Sequence, residues 1–381
     1  MVEILFWLVV FICFYGYIGY PIIICLIALL KRCYTNFEMI AQYQPTITII
    51  IAAHNEKKHL AEKIPTLLQQ DYPTDKLTIL VASDGSTDGT AKVIEDIASR
   101  QVKFLDLPRQ GKAAALNTAV NQSTSDIVVF TDANNQWHKK TLIHLISPFT
   151  NQRVGGVGGD IDIKNTNKSL NLGERAYRWY ECYIRLCETH TGCAVSLDGS
   201  IFAIRRALCQ TVPPDVTDDF FMSTGVIEKG YDLVFQPQAI VSEPAADKAK
   251  KQYRRRIRVT VRGLQSLWKR RHLMNPVKYG MYSLALISHK LIRRLVPFFV
   301  LLLFPLSGLL IMHHTFYLVV FILQLVFYGV ALVGLLDQNR KLPKVFYIAG
   351  YIFLNSIALG IGVVKFLIGE RYSMWIPQQN R

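Results

Sequence analysis

A chain of 381 residues, 51% of them hydrophobic and with a formal charge of +15, has room for one sizeable globular domain plus membrane segments. Its seven cysteines form no Cys-x-x-Cys pair, so neither a zinc site nor a disulfide framework is indicated, in keeping with a reducing cytoplasm. The positive charge is concentrated, since residues 248–278 hold twelve Lys or Arg and no acid; beside a membrane helix that tract points to anionic lipid more than to nucleic acid.

Ile4 to Leu30 carries no charged residue, and about 20 apolar residues suffice to cross a bilayer as a helix. It lacks the basic start and the small-residue cleavage site of a signal peptide, so it reads as an uncleaved anchor. After it, Thr46 to Ala52, Leu77 to Ala82, Val102 to Leu105 and Ile127 to Phe130 are β-rich runs. Between them Glu56 to Gln70, Thr87 to Arg100 and Gly111 to Asn121 carry helical spacing. The alternation predicts an α/β layer with a parallel sheet and right-handed crossovers. Gly173 to Thr189 is a further helical stretch. There Trp179, Tyr180 and Tyr183 are expected to pack against the sheet, with a sugar-stacking or membrane-interface surface as the other reading. Ser288 to Arg294 has the pattern of an interfacial amphipathic helix. Leu295 to Met312, Phe316 to Leu336 and Val345 to Val364 are uncharged and complete four predicted spans.

Basic residues set the orientation. Lys31 and Arg32 follow the first span, Lys290, Arg293 and Arg294 precede the second, and Arg340, Lys341 and Lys344 lie between the third and fourth. All face one side if the amino terminus is outside and the central domain is cytoplasmic. The His313-His314-Thr315 turn is then outside, and so is the tail with Lys365, Arg371 and Arg381, against the rule. The expected organisation is an anchor over 1–34, a cytoplasmic domain over 35–280, and an interfacial helix with carboxyl-terminal membrane helices over 281–381.

Candidate site residues gather at strand ends, where open α/β sheets present ligand-binding groups. Thr131-Asp132-Ala133-Asn134 follows a strand, and the hard oxygens of Asp132 and Asn134 suit Mg2+ or Mn2+ carrying a diphosphate. An ordinary turn or helix cap explains the same residues. Ala53-His54-Asn55-Glu56 closes the first strand and Asp84-Gly85-Ser86-Thr87-Asp88 the second. Capping explains Gly85, Ser86 and Thr87 but leaves Asp84, whose carboxylate could accept from a base or ribose. Lys112 opens a helix at a sheet edge, where a phosphate or base carbonyl could meet it. The residues before it lack the first glycine of a P-loop, and Gly155-Gly156-Val157-Gly158-Gly159-Asp160 does not open a helix as a dinucleotide fingerprint should.

Taken in order, these motifs resemble the family 2 glycosyltransferases of A-type fold, and in particular their membrane-embedded branch of cellulose, chitin and hyaluronan synthases. Asp198-Gly199-Ser200-Ile201-Phe202-Ala203-Ile204-Arg205-Arg206 looks like the acceptor-side loop of that family, and Thr217-Asp218-Asp219 like its Thr-Glu-Asp segment. Gly230-Tyr231 and Glu243 fall where the family has a Gly-Tyr and a Glu, and Gln252-Tyr253-Arg254-Arg255-Arg256 resembles its Gln-x-x-Arg-Trp. The likeness runs over roughly residues 45 to 270.

The resemblance implies an α/β nucleotide-diphospho-sugar transferase domain with transmembrane helices on both sides. It implies that Ala53, His54, Glu56, Asp84 and Lys112 bind the uridine diphosphate part, and that Asp132 with Asn134 takes Mg2+ or Mn2+. Asp198, Gly199, Gln252, Arg255 and Arg256 would complete the substrate site. The family more often has a second carboxylate at the position of Asn134, so this site is one charge poorer. Asp219 would be the general base, with the like charge of Asp218 raising one of the two pKa values; the same segment also suits a helix N-cap. Arg256 replaces the tryptophan of the acceptor subsite, which leaves sugar stacking and processive synthesis open. Arg254, Arg255, Arg256 and Arg258 suit a diphosphate leaving group.

The expected function is inverting transfer from a UDP-sugar to a polysaccharide at the cytoplasmic face of a bacterial-type plasma (inner) membrane, giving a β-glycoside. Single-sugar transfer to a lipid or lipid-linked acceptor is the second expectation, and a non-catalytic sugar-nucleotide-binding membrane scaffold the third. Expected partners are the lipid bilayer, a carbohydrate or lipid-linked acceptor, and a polysaccharide export partner or a second copy of the chain. Nucleic acid is not among them.

Overall fold

A computed structural model of the chain describes residues 1–31, 43–164, 170–244, 249–337 and 341–372, with backbone alone for 163–164, 170–176, 244 and 249–252. The apolar amino-terminal stretch forms α1 (Val2–Phe14), a π-helical turn at Tyr15–Gly19 and α2 (Tyr20–Lys31). The expected alternation follows as β1 (Ile47–Ala53), α3 (Lys57–Leu68), β2 (Leu77–Asp84), α4 (Thr90–Ile97), β3 (Val102–Leu107), α5 (Lys112–Gln122) and β4 (Ile127–Thr131). Then come β5 (Gln136–Trp137), α6 (Thr141–Ile146), β6 (Val154–Lys164), α7 (Leu170–Thr191), β7 (Ile201–Arg205), α8 (Asp218–Glu228) and β8 (Asp232–Pro244). The chain continues through α9 (Ala249–Lys269), α10 (Pro276–Leu286), α11 (Arg293–Leu310), α12 (Thr315–Leu336) and α13 (Lys344–Leu367).

The strands make one eight-stranded sheet in the order β3-β2-β1-β4-β7-β6-β8-β5. Helices cover both faces, which is why β1 reads as an unbroken apolar run. Ile47, Ile49 and Ile51 pack with Leu60, Ile64 and Leu67 of α3. Ile50 and Ala52 point the other way, into a core with Leu116, Ala119 and Phe202. The parallel pairing expected throughout holds across β1–β4 and recurs between β6 and β8. β7 runs antiparallel to β4 and β6, so the sheet is mixed. The glycine run at 155–159 lies inside β6, where a Cβ on Gly159 would stand 2.3 Å from the Ala239 carbonyl oxygen. Close strand approach accounts for that glycine.

Four helical stretches are long and apolar enough to cross a membrane: Val2–Lys31, Pro276–Leu310, Thr315–Leu336 and Lys344–Leu367. The first spans 30 residues, about 45 Å at 1.5 Å per residue, against a hydrocarbon core of about 30 Å. Its halves have different neighbours. Phe6 and Val9 of α1 pack on Leu306 and Leu310 of α11 and Tyr317 of α12. Tyr20, Ile24 and Ala28 of α2 pack with Ile184, Phe220, Leu267 and Tyr282, in the helices that flank the sheet domain.

Ser288, His289 and Arg293, in the stretch expected to form an interfacial amphipathic helix, are buried. Carboxylates on α7 draw them in: His289 Nδ1 lies 2.6 Å from Glu188, His289 Nε2 lies 3.0 Å from Glu181, and Arg293 donates to Glu181. Tyr20 of α2 donates to the same Glu188. Trp179 and Tyr183 do not pack against the sheet but are 73% and 50% exposed and stacked on each other, since α7 leans on α2 by its other face. The tail as far as Tyr372 lies against α9. A Cβ on Gly362 would stand 2.6 Å from Thr260, so the missing side chain lets α13 close on α9, and Gln265 donates to the Glu370 carbonyl. Arg381 lies outside the described residues.

Candidate active site

The loops after β1 and β2 are laced together. Asn55 takes a left-handed conformation, φ 56°; its amide N donates to Ser86 Oγ at 3.1 Å, and its side-chain oxygen accepts from Thr87 N at 2.8 Å. Ala53 is buried at the end of β1, and the His54 ring meets the Asp84 carbonyl at 2.7 Å. Glu56 is buried and bonded to His59, whose imidazole it holds above its usual range. Asp84 is 1% exposed. One of its oxygens accepts from the backbone N–H of Gln110 at 2.6 Å and of Gly111 at 2.8 Å, and the other from Arg109 at 2.5 Å. Its carboxylate therefore organises the loop before Lys112.

Lys112 joins the two halves of the site. Its Nζ lies 2.9 Å from Asp132 at the end of β4 and 3.0 Å from Asp218 at the start of α8. Burial works against the ammonium, but the two carboxylates outweigh it and hold Lys112 charged. Burial likewise opposes ionised Asp218, yet Lys112 and Arg262 keep its carboxyl below the usual range. Asp219 feels Lys112 only as the least of its influences. Burial first, then the charges of Asp218 and Asp198, push it up to about 7. The Asp198–Ser200 loop lies against it, since a Cβ on Gly199 would be 3.1 Å from Asp219 Oδ2. Asp198 is partly exposed; desolvation opposes its charge, but Arg185, 3.3 Å away, holds it low.

Asp132 and Asn134 are partly exposed two residues apart, and Lys112 is the ion-pair partner of Asp132. Among the described residues no three His, Cys, Asp or Glu side chains form a metal cage. Two partly exposed hard oxygens fit an ion such as Mg2+ or Mn2+ that draws its other ligands from phosphate and water. The arginine-rich helix is divided in its contacts. Arg255 is exposed, whereas Arg256 donates to Asn355 of α13 at 3.0 Å and lies 5.7 Å from the Tyr177 ring centre. The side chain of Gln252 lies outside the described residues.

Beneath the site, sequence reasoning missed Lys63. It is fully buried, its Nζ donates to Thr131 Oγ1 at 3.0 Å, to the Asn135 carbonyl at 3.1 Å and to Asn135 Oδ1, and burial pulls it down to about 7. A signal was present, since Leu60, Lys63, Ile64 and Leu67 share one helical face and the other three are core residues.

Acids at a strand end and a helix start joined by a Lys112 bridge, on a mixed sheet with apolar helices at both ends, are the arrangement of the A-type glycosyltransferase fold. Residues 48–212 match the family model described as Glycosyl transferase family 2. The chain is 26% identical over 231 residues to the probable glycosyltransferase YdaM of Bacillus subtilis, covering 56% of this chain and 54% of that one. It is 26% identical over 204 residues to the poly-β-1,6-N-acetyl-D-glucosamine synthase of Staphylococcus epidermidis, covering 51% and 48%. The matches thus span about half the length of these relatives. Among solved structures, the mannosyltransferase PcManGT of Pyrobaculum calidifontis, in complex with GDP-Man and Mn2+, superposes with a TM-score of 0.71 at 21% identity. The alignment covers 97% of this chain and 100% of that one, so the likeness of fold includes the terminal helices.

Proposed function

We propose that the enzyme transfers a sugar from a UDP-sugar to a growing polysaccharide at the cytoplasmic face of the membrane, with inversion, to give a β-glycoside. The observation that carries this reading is the Lys112 bridge, which sets the donor-side Asp132 and the acceptor-side Asp218-Asp219 pair about one ammonium apart. In the proposed reaction Asp132 and Asn134 hold Mg2+ or Mn2+, which when bound neutralises the diphosphate. Lys112, already between two carboxylates, is placed to meet the phosphate oxygens, and Arg255 on α9 is exposed and free to join it. Asp219 takes the proton from the acceptor hydroxyl, and its raised pKa matches that task near neutral pH. The step is a single in-line displacement, with no covalent nucleophile required. A polysaccharide synthase among the relatives supports the polymer acceptor.

One observation favours the second reading, a lipid or lipid-linked acceptor that receives a single sugar. Arg256 replaces the stacking tryptophan and is turned toward Asn355, which leaves that stacking position without an aromatic ring. Purified enzyme in lipid, offered a panel of labelled UDP-sugars with Mn2+, separates the two by product mass. A ladder of oligosaccharides supports the polymer, and one added sugar the lipid-linked acceptor. Transfer from GDP-sugars in preference to UDP-sugars would overturn the donor assignment.

A further inference from the structure

Lys63 sits where a lysine is costly. An ammonium taken wholly out of water loses its hydration, and the loss is recovered only if each N–H finds a partner. Here each does, but no partner is a carboxylate: all three are neutral oxygens, on Thr131 and Asn135. These two residues bracket Asp132 and Asn134. The bonds continue beyond the turn. Thr131 Oγ1 and Asn135 Nδ2 also reach the Ser200 carbonyl, at 2.9 and 2.8 Å, and Ser200 Oγ donates to the buried Glu243 at 2.5 Å. Trp137 Nε1 lies 3.3 Å from Thr131 Oγ1 and the Lys63 ammonium 5.7 Å from its ring centre. A charge on α3 thus ties together the donor-side turn after β4, the acceptor-side loop before β7 and the end of β8.

We infer that Lys63 is a positioning residue for glycosyl transfer, fixing the Asp132-Asn134 turn against the Asp198-Gly199-Ser200 loop so that donor and acceptor groups stand at one spacing. The inference rests on the proposed roles of those two loops. Nothing in the packing alone calls for a cation, because Leu60, Ile64 and Leu67 on the same face are satisfied by apolar neighbours. A methionine of similar length would fill the space and make none of the three bonds. What the lysine adds is direction: it holds both oxygens of Asn135 on one side, so that the Asn135 amide N–H groups face Ser200.

The test uses the full chain in lipid nanodiscs, with Mn2+ and UDP as probes and wild type, Lys63→Met and Thr131→Val compared. Mn2+ binding in the presence of UDP is read by electron paramagnetic resonance, thermal unfolding by calorimetry, and transfer from a labelled UDP-sugar by product mass. Loss of a partner behind a metal-binding group lowers metal affinity by about 10- to 100-fold, and Lys63→Met is expected to weaken Mn2+·UDP binding on that scale and to lower kcat with it. Thr131→Val, which removes one oxygen, is expected to act in the same direction by less and decides the matter should Lys63→Met fail to fold. Mn2+·UDP affinity and kcat at the wild-type level in the folded variants would overturn the inference, as would a loss of stability with affinity unchanged. Failure of wild type itself to bind Mn2+·UDP would instead overturn the donor assignment.

Discussion

The two adjacent carboxylates at the start of α8 are given different characters by their surroundings. Asp218 has Lys112 and Arg262 to hold it ionised, whereas burial and the neighbouring acids keep the proton on Asp219 up to about 7. A base works only when deprotonated, so transfer is expected to rise with pH and level off above about 7. Asp218→Asn removes one of the like charges, and the rising limb of the pH profile should move to lower pH; an unmoved limb would assign it to another group. The same shift has an opposite consequence for stability. Because the folded-state pKa lies above the ordinary 3.8, the folded protein keeps a proton that the unfolded chain releases in that window, and stability falls as pH rises through it. Asp219→Asn is therefore expected to raise the thermal midpoint at pH 8, measured by calorimetry, while it slows transfer.

Among the elements, α2 and α7 form the joint between the apolar amino-terminal helices and the sheet domain, and the joint can be tested chemically. Cys25 Sγ on α2 and Cys187 Sγ on α7 lie 2.6 Å apart as free thiols. Mild oxidation with copper phenanthroline should join them within one chain, seen as a faster band on a non-reducing gel that Cys25→Ala removes. At the other joint, Gly362→Leu drives a side chain into Thr260. The expected cost is about 1–3 kcal/mol, read as a lower thermal midpoint. Both joints were invisible in the sequence, where α2 and α13 read simply as spans; the polar partners of α2 lie far along the chain. The β1–β4 half was legible because strands covered on both faces become apolar runs. The other half was not, since β5 has two residues and β6 is rich in glycine. The acidic motifs stood out because they follow apolar strands. The inward turn of Asp84 did not, because Gln110 and Gly111 hold it by backbone N–H groups that no side-chain pattern reveals. Lys63 was hidden by its own type, as lysines on an amphipathic helix usually face water.

For the whole molecule, the apolar amino-terminal stretch is longer than a bilayer requires, and its second half packs with the helices that flank the sheet domain. Candidate site and apolar helices are linked through α7: it carries Arg185, which pairs with Asp198, and also Glu181 and Glu188, which pair with His289 and Arg293 at the head of α11. The claim at the centre of this account is that donor and acceptor chemistry meet at the Lys112 bridge, in two separable halves. The most direct measurement compares Mn2+·UDP binding and sugar transfer in Asp132→Ala and Asp219→Asn in lipid nanodiscs. The account predicts that Asp132→Ala loses binding, and that Asp219→Asn binds as wild type but transfers about 10²- to 10⁴-fold more slowly. Near-normal transfer by Asp219→Asn, or unaltered binding by Asp132→Ala, would contradict it.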